Sequence, residues 1–230
     1  MRAMILAAGR GERMRPLTDS TPKPLLLAGG KPLIVWHIKR LVQAGITQLV
    51  INHAWLGQQI EDQLQDGRQF GAHIVYSPEP EPLETAGGIA QALPFFQNEP
   101  FLVVNGDIWC DWNPDQAWQI GQSLLQQEKL AWLLLASNPG HHSAGDFVLN
   151  GAIVSDRSAS EQTLALTFTG IGIYRPELFQ SLKSKQPARL APILRDAMLS
   201  KKVTGTHYNG KWIDVGTPER LASLDHSLRV

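Results

Sequence analysis

The chain has 230 residues, of which 43% are hydrophobic and 18% are charged, and this composition is ordinary for a globular protein with a sizeable core. Its 21 lysines and arginines balance its 21 aspartates and glutamates, which excludes a protein drawn by its overall field to nucleic acid or to a membrane surface. The single cysteine, Cys110, excludes an internal disulfide, and the apolar runs are too short for a signal peptide or membrane span, so we expect a cytoplasmic protein.

Short apolar runs alternate with segments of helical periodicity over the first three-quarters of the chain. This alternation is typical of parallel strands joined by crossover helices. The predicted strands are Ala3–Ala8, Gln48–His53, His73–Ser77, Phe101–Asn105 and Ala131–Ser137. The predicted helices are Pro32–Gln43, Leu56–Leu64, Thr85–Leu93 and Pro114–Gln127.

The pattern changes after Asn138, where two longer strands, Phe147–Val154 and Leu164–Tyr174, flank a polar turn at Asp156–Gln162 and predict antiparallel pairing. Three more helices and a last hairpin complete the prediction: Pro176–Leu182, Leu190–Ser200, Pro218–Leu228, and Val203–Tyr208 with Lys211–Val215. We therefore expect an α/β fold, a single-domain Rossmann-like sandwich over residues 1–230 whose central sheet is mixed and mostly parallel.

A glycine loop follows the first predicted strand. The segment Gly9–Arg15 holds two glycines and three arginines. Glycines allow backbone N–H groups to approach an anion closely, and arginine adds charged, forked donors. The loop predicts a phosphate site, while a strand-to-helix turn with surface arginines is the structural alternative.

Two other phosphate-binding motifs fit the sequence poorly. A dinucleotide-binding loop needs a third glycine where this chain has Met14, and an acidic residue at the second strand end, where it has Asn52-His53-Ala54. A Walker A loop fails at Gly29-Gly30-Lys31, because Pro32 follows and Leu25 occupies the position of the first required glycine.

Three charged residues are candidates to act beside the loop. Lys23 lies between two prolines, so its backbone is stiff, and it follows Gly9 by 23 − 9 = 14 residues. Asp107 follows a strand end, where open α/β sheets bind their ligands, and Asp214 precedes a glycine turn. Carboxylates in such places form turns or bind magnesium, which needs only one or two of them together with substrate phosphates.

Five ordered segments resemble the sugar-1-phosphate nucleotidylyltransferase family, enzymes that join a nucleoside triphosphate to a sugar 1-phosphate and release pyrophosphate. They are Leu6–Thr18, Pro22–Leu25, Glu84–Gly88, Asn105–Asp107 and Trp212–Glu219. The blocks extend over almost the whole chain, which makes the resemblance more specific than any single motif. It implies a nucleotide-binding part at about residues 1–110 and a sugar-binding part at about residues 111–230.

The resemblance also implies roles for individual residues. Arg13 and Lys23 would be the catalytic cations, and Asp107 and Asp214 would bind Mg²⁺. The nucleotide would contact Ala8, Gly9, Gly11, Glu12, Arg13, Lys23, Glu79, Ala86, Gly87 and Gly88, and the sugar phosphate would contact Asn105, Asp146 and Gly170.

Within the family, Asn52–Asp62 and Gly145-Asp146-Phe147 resemble the bacterial uridylyltransferase branch that acts on N-acetylmuramic acid α-1-phosphate in cell-wall recycling. The implied substrates are UTP and that sugar phosphate. A mannose- or glucose-1-phosphate enzyme using GTP, UTP or dTTP is the first alternative, and a non-catalytic sugar-nucleotide sensor is the second. A monomer or weak homodimer is expected.

Some features remain open at this stage. Many relatives carry a Glu-Lys pair before the sugar, whereas this chain offers only Glu161 in a shorter turn. Arg157, Lys185 and Arg189 are the cationic candidates for reading the lactyl carboxylate of a muramyl sugar. The His141-His142 pair is interpreted as part of a substrate loop, and Cys110 as an inert thiol.

Overall fold

Strands and helices alternate along the computed structural model, which describes residues 1–157 and 165–229. The strands are β1 Arg2–Ala7, β2 Leu27–Ala28, β3 Lys31–Pro32, β4 Gln48–His53, β5 His73–Pro78, β6 Phe101–Asn105, β7 Ile108–Cys110, β8 Ala131–Ala136, β9 Phe147–Asn150, β10 Ile153–Asp156, β11 Thr167–Tyr174, β12 Val203–Tyr208 and β13 Trp212–Asp214. The helices are α1 Leu33–Gln43, α2 Gly57–Leu64, α3 Glu84–Phe96, α4 Ala117–Gln126, α5 Leu190–Leu199 and α6 Pro218–Arg229. In the described ranges no helix combines the length and the apolar character needed to cross a bilayer.

A nine-stranded sheet in the order β5-β4-β1-β6-β11-β8-β12-β10-β9 forms the centre of the fold. Strands β10 and β11 run against the rest, so 9 − 2 = 7 strands point the same way. The expected α/β architecture with a mixed, mostly parallel sheet is therefore confirmed. The carboxyl ends of β1, β4, β5 and β6 meet at one edge, where such sheets bind ligands.

Helices cover both faces of this sheet because the strand residues alternate in direction. In β1, Ala3, Ile5 and Ala7 join the cluster beneath α1, α2 and α4, while Met4 joins the cluster beneath α3 and α5. All four side chains are buried. A strand buried on both faces reads as a continuous apolar run, which is why the sequence located β1 correctly.

The predicted hairpin of Val203–Tyr208 with Lys211–Val215 is wrong. Strand β12 lies parallel to β8 inside the large sheet, and β13 pairs antiparallel with β7 in a separate two-stranded sheet. The short segment between them permitted a hairpin, but β12 is buried at its start and takes its hydrogen bonds from the central sheet. Sequence proximity gave no sign of these two distant partners.

The predicted strand Phe147–Val154 is also wrong as a single element. A turn at Gly151, whose φ is +59°, divides it into the antiparallel pair β9 and β10. Strand β11 pairs instead with β6 and β8, and only Phe147 forms an isolated bridge to Leu166. Residues 158–164, including most of the predicted polar turn and Glu161, lie outside the described residues.

Three smaller differences concern helix ends and short elements. Helix α3 continues through Pro94 to Phe96, beyond its predicted end. Residues Pro176–Phe179 form only a short 3-10 helix in place of the longer helix predicted there. The segment between the glycine loop and α1 contains 3-10 turns and the β2-β3 hairpin, which periodicity did not predict because each element is only two or three residues long.

A third hydrophobic cluster holds the glycine loop against the end of the chain. Met14 is fully buried and packs with Trp109, Val215 and Leu221, which come from β7, the segment after β13, and α6. The residue that replaces the third dinucleotide-loop glycine is therefore an apolar anchor. Its burial positions the loop relative to β7, which Asp107 precedes, and to β13, which ends at Asp214.

His37 connects α1 to the start of β7. Its Nε2 donates a hydrogen bond of 2.8 Å to the carbonyl oxygen of Ile108, and the side chain is 4% exposed. Burial lowers the pKa of the imidazole from 6.5 to about 4. The neutral form is thus the one built into the fold, immediately beside Asp107.

We predict a loss of stability on acidification that depends on His37. The folded-state pKa lies below the unfolded value, so the stabilisation is complete above pH 6.5 and falls away between pH 6.5 and pH 4. The loss from this one group amounts to about 3 kcal/mol. Urea unfolding across this range checks it: His37→Gln should flatten the decline, and an equally steep decline in the variant would contradict the assignment.

Candidate active site

Two cavities meet at the carboxyl edge of the sheet. The larger, of about 510 Å³, is lined mainly by the glycine loop, Lys23, Asn52, Glu79 and the start of α3. The smaller, of about 330 Å³, is lined by the start of β11, the turn at His141-His142, and β13. Arg13, Asn105 and Asp107 line both cavities. We call this shared wall the junction.

The glycine loop forms one wall of the larger cavity. Gly11 has φ +68°, and a Cβ on it would lie 3.0 Å from Thr18 Cγ2 and 3.2 Å from Lys23 Cβ, so a larger residue would be both strained and crowded. The Thr18 hydroxyl donates to the Gly11 carbonyl at 2.8 Å and fixes the turn. A Cβ on Gly9 would meet nothing within 4 Å. Ala8, Gly9 and Glu12 all line the cavity.

Lys23 and Asp107 form an ion pair at the junction. Lys23 Nζ lies 2.8 Å from Asp107 Oδ2, and the lysine is 6% exposed. A buried lysine costs desolvation energy that an ion pair offsets, so Asp107 helps to hold the ammonium at the wall of the cavity. Lys23 thus lies beside the glycine loop, and its partner Asp107 is another of the three charged candidates.

Asp107 and Asp214, the two predicted magnesium ligands, lie side by side. In the β7-β13 ladder Asp214 is opposite Ile108, and the Val215 N–H donates to the Asp107 carbonyl at 3.1 Å. Two carboxylates fit Mg²⁺, which takes its remaining oxygens from substrate and water. In the described part of the chain no group of three or more His, Cys, Asp or Glu side chains converges, so a magnesium ion here would need substrate oxygens as well.

Arg220 is a site residue that the sequence reasoning did not find. It lies in the first turn of α6, and its Nη1 donates to Asp214 Oδ2 at 2.6 Å and to His141 Nε2 at 2.7 Å. Arg13 approaches the same place from the glycine loop and faces Gly216. In the sequence, Arg220 directly follows the Trp212–Glu219 segment. It lies in a predicted helix, where an arginine is usually a solvent-exposed charge.

A buried polar network supports the floor of the larger cavity. Asn52 accepts a hydrogen bond of 2.9 Å from the Ala7 N–H and donates one of 2.7 Å to Glu79 Oε1. Glu79 Oε2 accepts from the Leu83 N–H at 2.8 Å, and Glu79 is 3% exposed. Both carboxylate oxygens of Glu79 are therefore engaged within the protein, and its observed role is to join β5 to the start of α3.

The predicted base contacts lie at the start of α3. Ala86 and Gly87 donate their N–H groups to the Ala188 carbonyl at 2.9 and 3.1 Å, and a Cβ on Gly88 would lie 2.7 Å from Glu79 Oε1. The three residues are buried behind the cavity wall and do not themselves line the cavity. The residues of this segment that line the cavity are Glu84 and Thr85. Glu84 does so with φ +60°, a conformation that is unusual for a residue with a side chain.

On the sugar side, Asn105 and Gly170 are in close contact. Gly170 has φ +82°, and a Cβ on it would lie 2.6 Å from Asn105 Nδ2. Asp146 accepts from the Phe168 N–H at 2.8 Å and lies 3.0 Å from His142 Nε2. His142 lines the smaller cavity, whereas Asp146 lies behind it. Asn105 and Gly170 are therefore wall residues, and Asp146 orients His142 and β11.

The three cationic candidates for a lactyl carboxylate differ in position. Arg189 lies 3.8 Å from Glu84, and Lys185 is in the same connection before α5, so both belong to the nucleotide side. Arg157 donates to the Ala144 carbonyl at 3.0 Å, close to the His141-His142 turn. Cys110 is 2% exposed, and burial raises the pKa of its thiol to about 12, consistent with an inert residue.

We predict that Asn52→Ala destabilises the fold by roughly 1–3 kcal/mol, because the Ala7 N–H and Glu79 Oε1 lose their partner in a buried place. Urea unfolding measures the loss. Gln58→Ala is a suitable control, since that exposed side chain donates a hydrogen bond to Asp62 within its own helix. Equal stability of the two variants would contradict the role given to Asn52.

Comparison with known proteins agrees with this geometry. The profile of the family described as Nucleotidyl transferase matches residues 2–137. The chain is 55% identical to an N-acetylmuramate alpha-1-phosphate uridylyltransferase of Neisseria meningitidis over 96% of this chain and 95% of that protein, and 32% identical to one of Caulobacter vibrioides over 98% and 96%. A Bacillus anthracis structure assigned as a glucose-1-phosphate thymidylyltransferase superposes with a TM-score of 0.86 at 23% identity, covering 100% of this chain and 95% of that one. The chain therefore belongs to the nucleotidyl transferase family and has the fold of its sugar-phosphate members.

Proposed function

We propose that the protein transfers a uridylyl group from UTP to N-acetylmuramic acid α-1-phosphate, giving UDP-N-acetylmuramic acid and pyrophosphate in cell-wall recycling. The observation that carries this proposal is the junction, where one wall formed by Arg13, Asn105 and Asp107 faces two cavities at once. A nucleotide and a sugar phosphate bound in these cavities would meet there. The identity of the sugar rests on the two relatives named above.

The reaction is attack by an oxygen of the sugar phosphate on the α-phosphorus of UTP, with pyrophosphate leaving from the opposite side. Both reactants are anions, so the main task is to neutralise charge and to align them. The phosphate nucleophile is already ionised at neutral pH, and no general base is required. Arg13 would stabilise the leaving pyrophosphate, and Lys23 the charge that develops on the α-phosphate.

Asp107 and Asp214 are the residues that would hold Mg²⁺. When bound, the ion would act as a template and charge sink for the phosphate oxygens. The protein contributes the paired carboxylates, and Lys23 neutralises Asp107 in its absence. Loss of the lysine would therefore change both the charge on the phosphate and the position of one proposed ligand.

Uridine is the proposed nucleoside, with guanosine as the rival. A carboxylate facing the base would favour guanine, which offers two adjacent donors. Glu79, one of the expected nucleotide contacts, uses both its oxygens to accept hydrogen bonds from Asn52 and Leu83. This weakens the case for guanine, and uridine is proposed from the two relatives named above. Glu84 remains a carboxylate on the cavity wall, so GTP belongs in the test.

We further propose that the chain works as one cytoplasmic unit, a monomer or weak homodimer. Its nucleotide part is about residues 1–110 and its sugar part about residues 111–230. Each part contributes a residue to the cavity of the other. Gly216, from the sugar part, lines the larger cavity, and Arg13, from the nucleotide part, also lines the smaller one. This exchange supports a single catalytic unit and argues against two separable ones.

The decisive experiment is magnesium-dependent pyrophosphate release with N-acetylmuramic acid α-1-phosphate, run beside the N-acetylglucosamine, glucose and mannose 1-phosphates and with UTP, GTP and dTTP. We expect kcat/KM to be highest for UTP with the muramyl substrate. Faster turnover of another combination of nucleotide and sugar phosphate would change the proposed substrates and leave the proposed reaction type in place. Nucleotide binding without turnover of any sugar would favour the sensor alternative.

We predict that Lys23→Ala lowers kcat by about two to three powers of ten, the usual loss when a donor to the transition state is removed. Lys39→Ala, an exposed lysine on α1, should leave kcat unchanged. Circular dichroism and thermal unfolding should show that both variants fold. An unchanged kcat in Lys23→Ala would refute the catalytic role.

A further inference from the structure

Arg220 makes two charged or polar contacts to residues that line the smaller cavity. Its Nη1 is 2.6 Å from Asp214 Oδ2 and 2.7 Å from His141 Nε2, and its side chain is only 22% exposed. A guanidinium has no acceptor, so His141 Nε2 must accept, and the imidazole is neutral in this arrangement. His141 therefore holds Arg220 in place and adds no charge to its 3.5 Å contact with Asp214.

A second arginine converges on the same point. A Cβ placed on Gly216 would lie 2.8 Å from Arg220 Nη2, 3.1 Å from Arg13 Nη2 and 3.1 Å from Asp214 Oδ1. Gly216 itself lines the larger cavity. Two guanidinium groups directed at one small space repel each other unless an anion lies between them, and Asp214 supplies a single negative charge. The glycine leaves that space free of any side chain.

The charge balance at the junction depends on this residue. Among the described residues, the ionised side chains that contact Asp107, Asp214 or the Cβ position of Gly216 are Lys23, Arg13 and Arg220. Three positive charges against two carboxylates leave 3 − 2 = 1 positive charge, and without Arg220 the balance is zero. A net positive site is what a multiply charged anion requires.

We propose that Arg220 binds phosphoryl oxygens of the substrates at the junction, and that Asp214 holds its guanidinium there before they arrive. Arginine suits this task because its fork matches two oxygens of a phosphate. The inference rests on the proposed function, because it takes phosphoryl groups as the ligands of this place. Arg220 then joins Arg13 and Lys23 as a third cation of the site.

The alternative is a structural role, in which Arg220 only stabilises the first turn of α6 through Asp214. The same helix offers a matched control. Arg229 forms an ion pair with Asp225 at 3.0 Å in the last turn of α6, and Asp225 also accepts a hydrogen bond from the Gly29 N–H. Gly29 lines neither cavity, whereas the contacts of Arg220 are to Asp214 and His141, which line the smaller one. Arg229→Ala removes an arginine–aspartate pair from α6 without touching the junction.

The test is isothermal titration of inorganic pyrophosphate in EDTA, so that neither a metal nor a sugar takes part. Removing a charge-assisted bidentate contact should weaken binding about tenfold or more in Arg220→Ala. Arg220→Lys should be intermediate because an ammonium lacks the fork, and Arg229→Ala should bind like the wild type. Equal affinity of Arg220→Ala and wild type would overturn the proposal.

A double-mutant cycle separates binding from structural support. Asp214→Asn removes a negative charge beside the bound anion and also frees Arg220, so it should tighten pyrophosphate binding in EDTA. The gain should be clearly smaller in the Arg220→Ala background, where only the lost repulsion contributes. Equal gains in the two backgrounds would also overturn the proposal. A merely structural arginine would lower the melting temperature without producing this coupling.

The result is independent of the sugar specificity. If the wild type turns over no sugar phosphate but binds pyrophosphate through Arg220, the proposed function fails and the inference stands. If turnover is as proposed but Arg220→Ala leaves pyrophosphate affinity unchanged, the inference fails alone.

Discussion

The pairing of β13 with β7 is the contact on which the site depends. This two-stranded ladder places Asp214 beside Asp107, although 214 − 107 = 107 residues separate them in the chain. It also brings the following turn and α6 against the glycine loop, through the cluster that buries Met14 and Val215. Without the ladder, the segment that carries Asp214 and Arg220 would lose its strand pairing beside Asp107.

The ladder is stabilised by groups that themselves have no chemical role. His37 holds the Ile108 carbonyl from the side of α1, and Met14 fills the apolar space between the loop and α6. Side chains locked by packing and hydrogen bonds restrict the functional groups to a narrow range of positions. Preorganisation of this kind matters where two anions must be aligned with little freedom.

The charged side chains of the site are also held in place by contacts within the protein. Asp107 is paired with Lys23 and Asp214 with Arg220, so each carboxylate has a cationic partner without any ligand. Because both pairs are only partly buried, the cost of removing the charges from water stays moderate, and phosphate oxygens can exchange for the protein partners. Glu79 differs from these residues, since it is deeply buried and satisfied by N–H donors alone.

Much of the architecture and part of the site followed from the order of residues alone. Continuous apolar runs located β1, β4, β6 and β8, because strands buried on both faces leave a local pattern. The glycine loop and Asp107 followed from local chemistry near strand ends, and Lys23 from its place between two prolines. The partners of β12 and β13, the engagement of Glu79 by Asn52, and the convergence of Arg13 with Arg220 were decided by the tertiary structure. Local patterns record which side chains must be buried, whereas pairing between distant segments depends on how the whole core packs.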